Sequence, residues 1–315
     1  MYRRMCRNNG KFQISLCVII LYVITSLMRT GFLRLQHEKG VFIRSQHIQS
    51  EVRSTTFLLG IFCTLRHVKK REMIRDTIIG EHLPSNITRR VCSLHHFLSH
   101  FEIKSSCNLI YTFVIGGNNT GLDYFDRNNE LLVTNHNMTT ENDLTILNIK
   151  ENMNNGKTPS WFNFVSEIMN GDIDYVAKSD LDTLISVPAL LQFIDTHLPA
   201  RSQHGNPRIY GGKVAEITSC GGPRFSHCRK IEGKFFMLGQ FYFVSHDIVM
   251  MKQLWMKSNY SVPNEDLDFA LRIWHGYFLF HAIILDSEKF WIHGLKNSGR
   301  YRRMFAKIRS NDWNI

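Results

Sequence analysis

The chain is 315 residues long, 43% hydrophobic, and carries a formal charge of +11 at pH 7. That length makes one large domain or two small ones with ample apolar material for a core, and the basic excess points to anionic company. Much of the excess lies in "MYRRMCRNNGK" at the start and "LKNSGRYRRMFAKIRS" near the end; with neither a stripe carrying stacking aromatics nor a known reader module, nucleic acid is not an expected partner.

Residues 1–11 read as a basic cytosolic tail. "FQISLCVIILYVITSLM", Phe12 to Met28, is apolar and free of charge, and as a helix it would span about 25 Å. Arg3, Arg4, Arg7 and Lys11 precede it, whereas only Arg29 and Arg34 follow closely. The positive-inside bias therefore keeps the N-terminus cytosolic and sends the remainder to the lumen. No small-x-small pair follows the run, which favours an uncleaved signal anchor over a cleaved signal peptide. Residues 29–55 form a polar, charged stem without a sustained period.

The folded part, 56–315, opens with the buried-strand run "TTFLLGIFCTL" and the basic helix "RHVKKREMIRDTII", with Met73, Ile74 and Ile78 on or near one face. "NLIYTFVIGG" predicts a strand, "GKTPSWFNFVSEIM" a helix with Pro159 near its start, and "IDYVAKSD" another strand. "SVPALLQFIDTHL" predicts a helix capped by Ser186, with Pro188 in its first turn. "RIYGG", "FYFVS" and "FLFHAIIL" follow as strands, and "NEDLDFALRIW" as a helix with an acidic first turn. Strands alternating with helices predict an α/β layer with a largely parallel sheet.

Four sequons, at Asn86, Asn118, Asn137 and Asn259, would accept glycans in a luminal chain. Cys220 and Cys228 flank a Gly-Gly-Pro turn and are candidates for a local disulfide, as are Cys92 and Cys107 for a second. Cys63, inside an apolar run, is then left as a buried thiol. Without any Cys-x-x-Cys a zinc site is not expected.

Asp-x-Asp occurs three times, at Asp172/Asp174, Asp180/Asp182 and Asp266/Asp268. Ligands of such sheets bind beyond the carboxyl ends of the strands, which sorts the pairs. Asp172 and Asp174 stand at a strand entrance and read as turn residues. Asp180 and Asp182 stand at its exit, where alternation projects them with Lys178 to one face while Leu181 turns inward. Two converging carboxylates repel unless a cation lies between them, and oxygen ligands suit a hard ion such as Mg²⁺ or Mn²⁺. Asp266 and Asp268 fall in a first helical turn, where the helix dipole also favours them.

In order, these segments resemble the β1,3-glycosyltransferase family that includes β1,3-galactosyltransferases and β1,3-N-acetylglucosaminyltransferases, over roughly residues 56 to 295. "KREMIRDTI" is similar to the family's Arg-Arg-x-x-Ile-Arg-x-Thr-Trp helix, "YVAKSDLD" to its Lys-x-Asp-Asp-Asp strand end, "FFMLGQFYFVS" to its Pro-Tyr-x-x-Gly-x-x-Tyr-Val-Leu-Ser stretch, and "NEDLDFAL" to its Glu-Asp-Val-x-x-Gly motif. The resemblance implies a glycosyltransferase A (GT-A) fold and inverting transfer of galactose or N-acetylglucosamine from a UDP-sugar to a glycan acceptor on protein or lipid. It further implies a single-pass type II protein of the Golgi membrane with its catalytic domain in the lumen. By the same resemblance Asp182 ligates the metal, with His293 of "FWIHGLK" as second protein ligand. Asp180 serves the nucleotide side, Asp266 is the general base, and Gly239 lets the backbone approach the donor sugar. Arg71, Arg75 and Lys178 are the candidates to face phosphates or uracil. A shell mixing oxygen and imidazole leans toward Mn²⁺, with Mg²⁺ as the alternative. Leu181, Ile78 and Ala270 depart from the family pattern and support the other reading, a non-catalytic glycan-binding or scaffolding relative.

Overall fold

The computed structural model describes residues 54–99, 106–117, 141–151, 156–168, 171–201, 208–216, 233–256, 264–276 and 279–309. The tail, the predicted anchor and nearly all of the stem lie outside these residues, as do Cys220, Cys228, Asn118, Asn137 and Asn259. No described helix is long and apolar enough to cross a membrane.

Among the described residues, eight strands form one mixed, mostly parallel sheet. β1 (Phe57–Phe62) lies at its centre, between β3 (Leu109–Gly116) and β5 (Tyr175–Asp180), and is parallel to both. β2 (Val91–Ser93) and β4 (Leu144–Leu147) pair in parallel with the first and second parts of β3. On the other flank β8 (Phe235–Ser245) runs antiparallel to β5 and to β7 (Ile209–Glu216), and β9 (His281–Ile284) closes the edge in parallel with β7. A separate antiparallel pair joins β6 (Leu184–Ile185) to β10 (Trp291–Ile292).

Alternation along β1 divides the core. Phe57, Leu59 and Ile61 face one side, where α1 (Val68–Ile79), α5 (Val187–His197) and α10 (Ser298–Arg309) supply Ile74, Leu190 and Tyr301. Leu58 and Phe62 face the other, against Phe97 of α3 (Leu94–Ser99), Trp161 of α4 (Lys157–Ile168) and Phe269 of α8 (Glu265–His275). Shorter helices among the described residues include α2 (Ser85–Thr88), α6 (His246–Val249), α7 (Lys252–Trp255) and α9 (Ser287–Phe290), which precedes β10. Helices on both faces explain why β1 and β3 are buried along their whole length and read as continuous apolar runs.

Local signals hold with exceptions. Ser186 occupies the N-cap of α5 and Pro188 its first turn, but the serine side chain makes no capping bond. β8 is longer than "FYFVS" because the preceding "FFML" continues the strand. β9 is shorter than predicted; paired on one side only, its residues are mostly exposed. Cys92 and Cys107 form the disulfide expected of them, and Cys63 is a free, buried thiol.

Candidate metal and nucleotide cleft

Site geometry begins where β5 runs out. Asp174, at its entrance, is fully buried and accepts from the backbone N–H groups of Thr56 (2.8 Å) and Arg201 (3.0 Å), a structural tie at the end away from any cleft. At the exit, Leu181 is buried while Asp180 and Asp182 keep partial exposure. The chain then turns, with the Thr183 N–H donating to the Asp180 carbonyl at 3.1 Å, and enters β6.

Pairing of β6 with β10 brings in the third group. Ile292 stands opposite Leu184, so the following residue, His293, arrives beside Thr183 and Asp182. Its Nδ1 lies 3.0 Å from Thr183 Oγ1 and 3.3 Å from Asp182 Oδ1. Ligand atoms of Asp180, Asp182 and His293 all fall within 4.8 Å of one another. Two carboxylates and an imidazole at that separation are a donor set a divalent ion fits, harder than the thiolate sets of zinc and softer than an all-oxygen cage. Burial raises the pKa of Asp180, Lys178 lowers it, and Asp266 and Asp182 push it up again, so the net shift is upward. A cation would relieve that penalty.

Lys178 links the two acidic elements. Its ammonium is buried and contacts Asp180 Oδ1 at 2.9 Å, Asp266 Oδ1 at 3.2 Å and the Gly239 carbonyl at 3.0 Å. Burial acts to lower its pKa, but Asp266 and Asp180 outweigh that and hold the lysine charged, above its ordinary value. It is therefore a counter-ion inside the acidic cluster, and its donors are already engaged; a direct phosphate contact is not what this geometry offers.

Asp266 is presented by the first turn of α8, which Asn264 caps by accepting from the N–H groups of Asp266 (2.9 Å) and Leu267 (3.2 Å). The adjacent Glu265 is buried, accepts from the Thr158 N–H at 2.6 Å, and is pushed up to about 7, burial being the largest cause. Gly239 lies where the β7–β8 register shifts, Gly212 pairing Tyr242 and Val214 pairing Met237. A Cβ at Gly239 would overlap the Asp266 carboxylate. The glycine thus makes room for the acid, a more specific role than the expected approach of backbone to sugar.

These groups line a cleft of about 900 Å³. Asp180, Asp182, Glu265 and Asp266 form its acidic floor with Lys178; Arg66, Lys69, Lys70 and Lys296 supply positive charge around it. Lys70 donates to the Leu295 carbonyl at 3.1 Å; burial lowers its pKa and Asp182 partly offsets this. His293 stands beside the cleft, against Asp182.

Two expected residues belong elsewhere. Arg71 is fully buried and bonds Glu141 through Nε (2.7 Å) and Nη2 (3.2 Å), with Nη1 on the Thr64 carbonyl at 2.9 Å. Arg75 makes a fork to Asp143, both contacts at 2.7 Å, also reaches Glu141 at 2.8 Å, and lies 5.0 Å over the Phe113 ring. Both hold α1 to the turn that leads into β4, so neither lines the cleft. The cations of the cleft come instead from Arg66 just before α1, from Lys69 and Lys70 in its first turn, and from Lys296 after β10; the signal for the first three was their place after the carboxyl end of β1.

No family model matches the chain, and no curated protein does. Among solved structures, HddC from Yersinia pseudotuberculosis is similar at a TM-score of 0.32 and 14% identity, covering 80% of this chain and 100% of that one. A Bacillus anthracis protein, given as a glucose-1-phosphate thymidylyltransferase in complex with a sucrose, aligns at a TM-score of 0.33 and 9% identity over 81% of this chain and 96% of its own. Likeness at that level assigns neither family nor activity, and the chemistry rests on the cleft.

Proposed function

We propose that the chain is a metal-dependent, inverting hexosyltransferase that moves galactose or N-acetylglucosamine from a UDP-sugar to a glycan acceptor on a GT-A-type fold. The observation that carries this reading is the convergence of Asp180, Asp182 and His293 at the carboxyl end of a central strand, where Asp180, Asp182 and Asp266 line one cleft. A bound Mn²⁺ or Mg²⁺ would neutralise charge growing on the diphosphate as the glycosidic bond breaks. Around it, Arg66, Lys69, Lys70 and Lys296 favour an anionic leaving group through the field of the cleft rim. Asp266 accepts the proton of the acceptor hydroxyl as that oxygen attacks the anomeric carbon. Lys178, bonded to the same carboxylate, orients it. The disulfide Cys92–Cys107 and the exposed Asn86 support an oxidising, luminal address behind the N-terminal anchor, in a Golgi membrane.

The test is UDP release by the full-length chain from UDP-galactose and UDP-N-acetylglucosamine, with and without Mn²⁺. Release should require the metal and fall at least a hundredfold in Asp182→Ala. A chain that binds UDP equally well without metal, and turns over neither donor, is a scaffold of the same fold.

A further inference from the structure

Beyond Lys296 the cleft continues into a basic helix whose arginines do not line it. Lys296 and Ser298 line the cleft, and α10 leads away from them with the sequence "SGRYRRMFAKIR", which contains no acidic residue. Its inner face is committed: Tyr301 is buried with its hydroxyl 3.4 Å from Thr77 Oγ1, Met304 and Phe305 pack on the core, and Phe305 meets the His82 ring edge-on. Its outer face therefore cannot rotate away, and it presents Arg300, Arg302 and Arg303, all exposed. Among the described residues none of these arginines, nor Lys296, has a carboxylate partner. By contrast, Arg71, Arg75, Arg90 and Arg272 are each paired to an acid.

Guanidinium forks match carboxylate and sulfate oxygens in two-point contacts, which a neutral sugar hydroxyl does not reward. Resting on the transferase reading, we propose that the acceptor is an anionic glycan, bearing carboxylate or sulfate groups, which lies along the outer face of α10 with its end in the cleft. Two other polyanions suit the same helix less well. A membrane-surface helix inserts its apolar face, and here that face is buried in the protein. Single-stranded nucleic acid needs exposed aromatic platforms, whereas Tyr301 is buried and Phe305 is packed inward.

The experiment measures binding of the full-length chain to a fluorescent heparin hexasaccharide and to its desulfated, carboxyl-reduced counterpart. The anionic probe should bind at least tenfold more tightly, weaken as salt rises, and lose at least tenfold in Arg300→Glu/Arg303→Glu. Lys252→Glu, on α7, should stay within twofold of the unaltered chain. Arg300→Gln/Arg303→Gln with an unchanged unfolding temperature separates lost charge from lost fold. Equal binding of the two probes, insensitivity to the arginine changes, or tighter binding to phosphatidylserine vesicles or oligothymidylate would each overturn the proposal. Metal-dependent UDP binding by the unaltered chain is scored separately, so a failed nucleotide reading and a failed acceptor reading give different results.

Discussion

Gly239 and Asp266 occupy one another's space, and this makes the glycine a test of the acid. The missing side chain is filled by the carboxylate that Lys178 also holds. In Gly239→Ala the atoms nearest the added methyl group are those of the Asp266 carboxylate, which must move. A displacement near 1 Å at a reacting group costs about 100-fold in rate. Steady-state kinetics should accordingly show kcat down by about that factor with donor KM little altered; unchanged kcat would remove Asp266 from the proton transfer. Glu265 offers a second measurement. Its folded value, about 7, lies above the roughly 4.3 of an unfolded glutamate, so the folded state holds the proton more tightly between those pH values. Stability from this group is therefore fully present below about pH 4 and declines as pH rises toward 7, by on the order of 3 kcal/mol in total. Urea titrations across that window should show the decline, and Glu265→Gln, which cannot ionise, should flatten it.

Helix α1 shows how much of an element its own sequence discloses. The period of Ile74 and Ile78 predicted the helix and its buried face, and the apolar runs of β1 and β3 predicted central strands, because burial leaves a repeating mark on composition. The acidic pair was legible for a related reason: strand alternation fixes which residues at an exit share a face. Arg71 and Arg75 were not legible, since their partners lie 70 and 68 residues away and no local period encodes a distant carboxylate. His293 was found through resemblance alone; what positions it is the two-residue pairing of β6 with β10, too short to leave a pattern. The correction to α1 has its own consequence. Glu141→Gln leaves Arg71 buried without a charged partner, and removing one member of such a pair costs about 3 to 5 kcal/mol. Burial raises the pKa of Glu141, but its bonds to Arg71 and Arg75 outweigh this and depress it. Its contribution is then complete above the ordinary glutamate range and fades in acid as pH falls through the folded value. Denaturation of Glu141→Gln should show the loss at neutral pH and a shallower acid limb; a change below 1 kcal/mol would mean that Arg71 finds another partner.

Across the described residues, the buried arginines and the cations of the cleft play different parts. Among the described residues the buried Arg71 and Arg272 are neutralised by acids, whereas Arg66, Lys69, Lys70 and Lys296 line the cleft and Arg300, Arg302 and Arg303 stand exposed on α10. On the cleft floor carboxylates crowd: Asp180 and Asp266 share the ammonium of Lys178, and Asp182 lies against His293. Such an arrangement binds a nucleoside diphosphate poorly by itself, because the floor repels what the rim attracts. Adding a divalent ion reverses the sign of the floor, so metal and nucleotide should stabilise the fold together and hardly at all apart. At a free concentration 100 times Kd, a ligand specific to the folded state adds about 2.7 kcal/mol, and for a chain of this size that is a rise in Tm of roughly 5 °C or more. Thermal scans with UDP and Mn²⁺ should show this shift in the unaltered chain and lose it in Asp182→Ala, and UDP alone should move Tm by under about 1 °C. An equal shift with UDP alone would mean that the rim binds nucleotide without the acidic cluster, and the metal would then have no part in holding the donor.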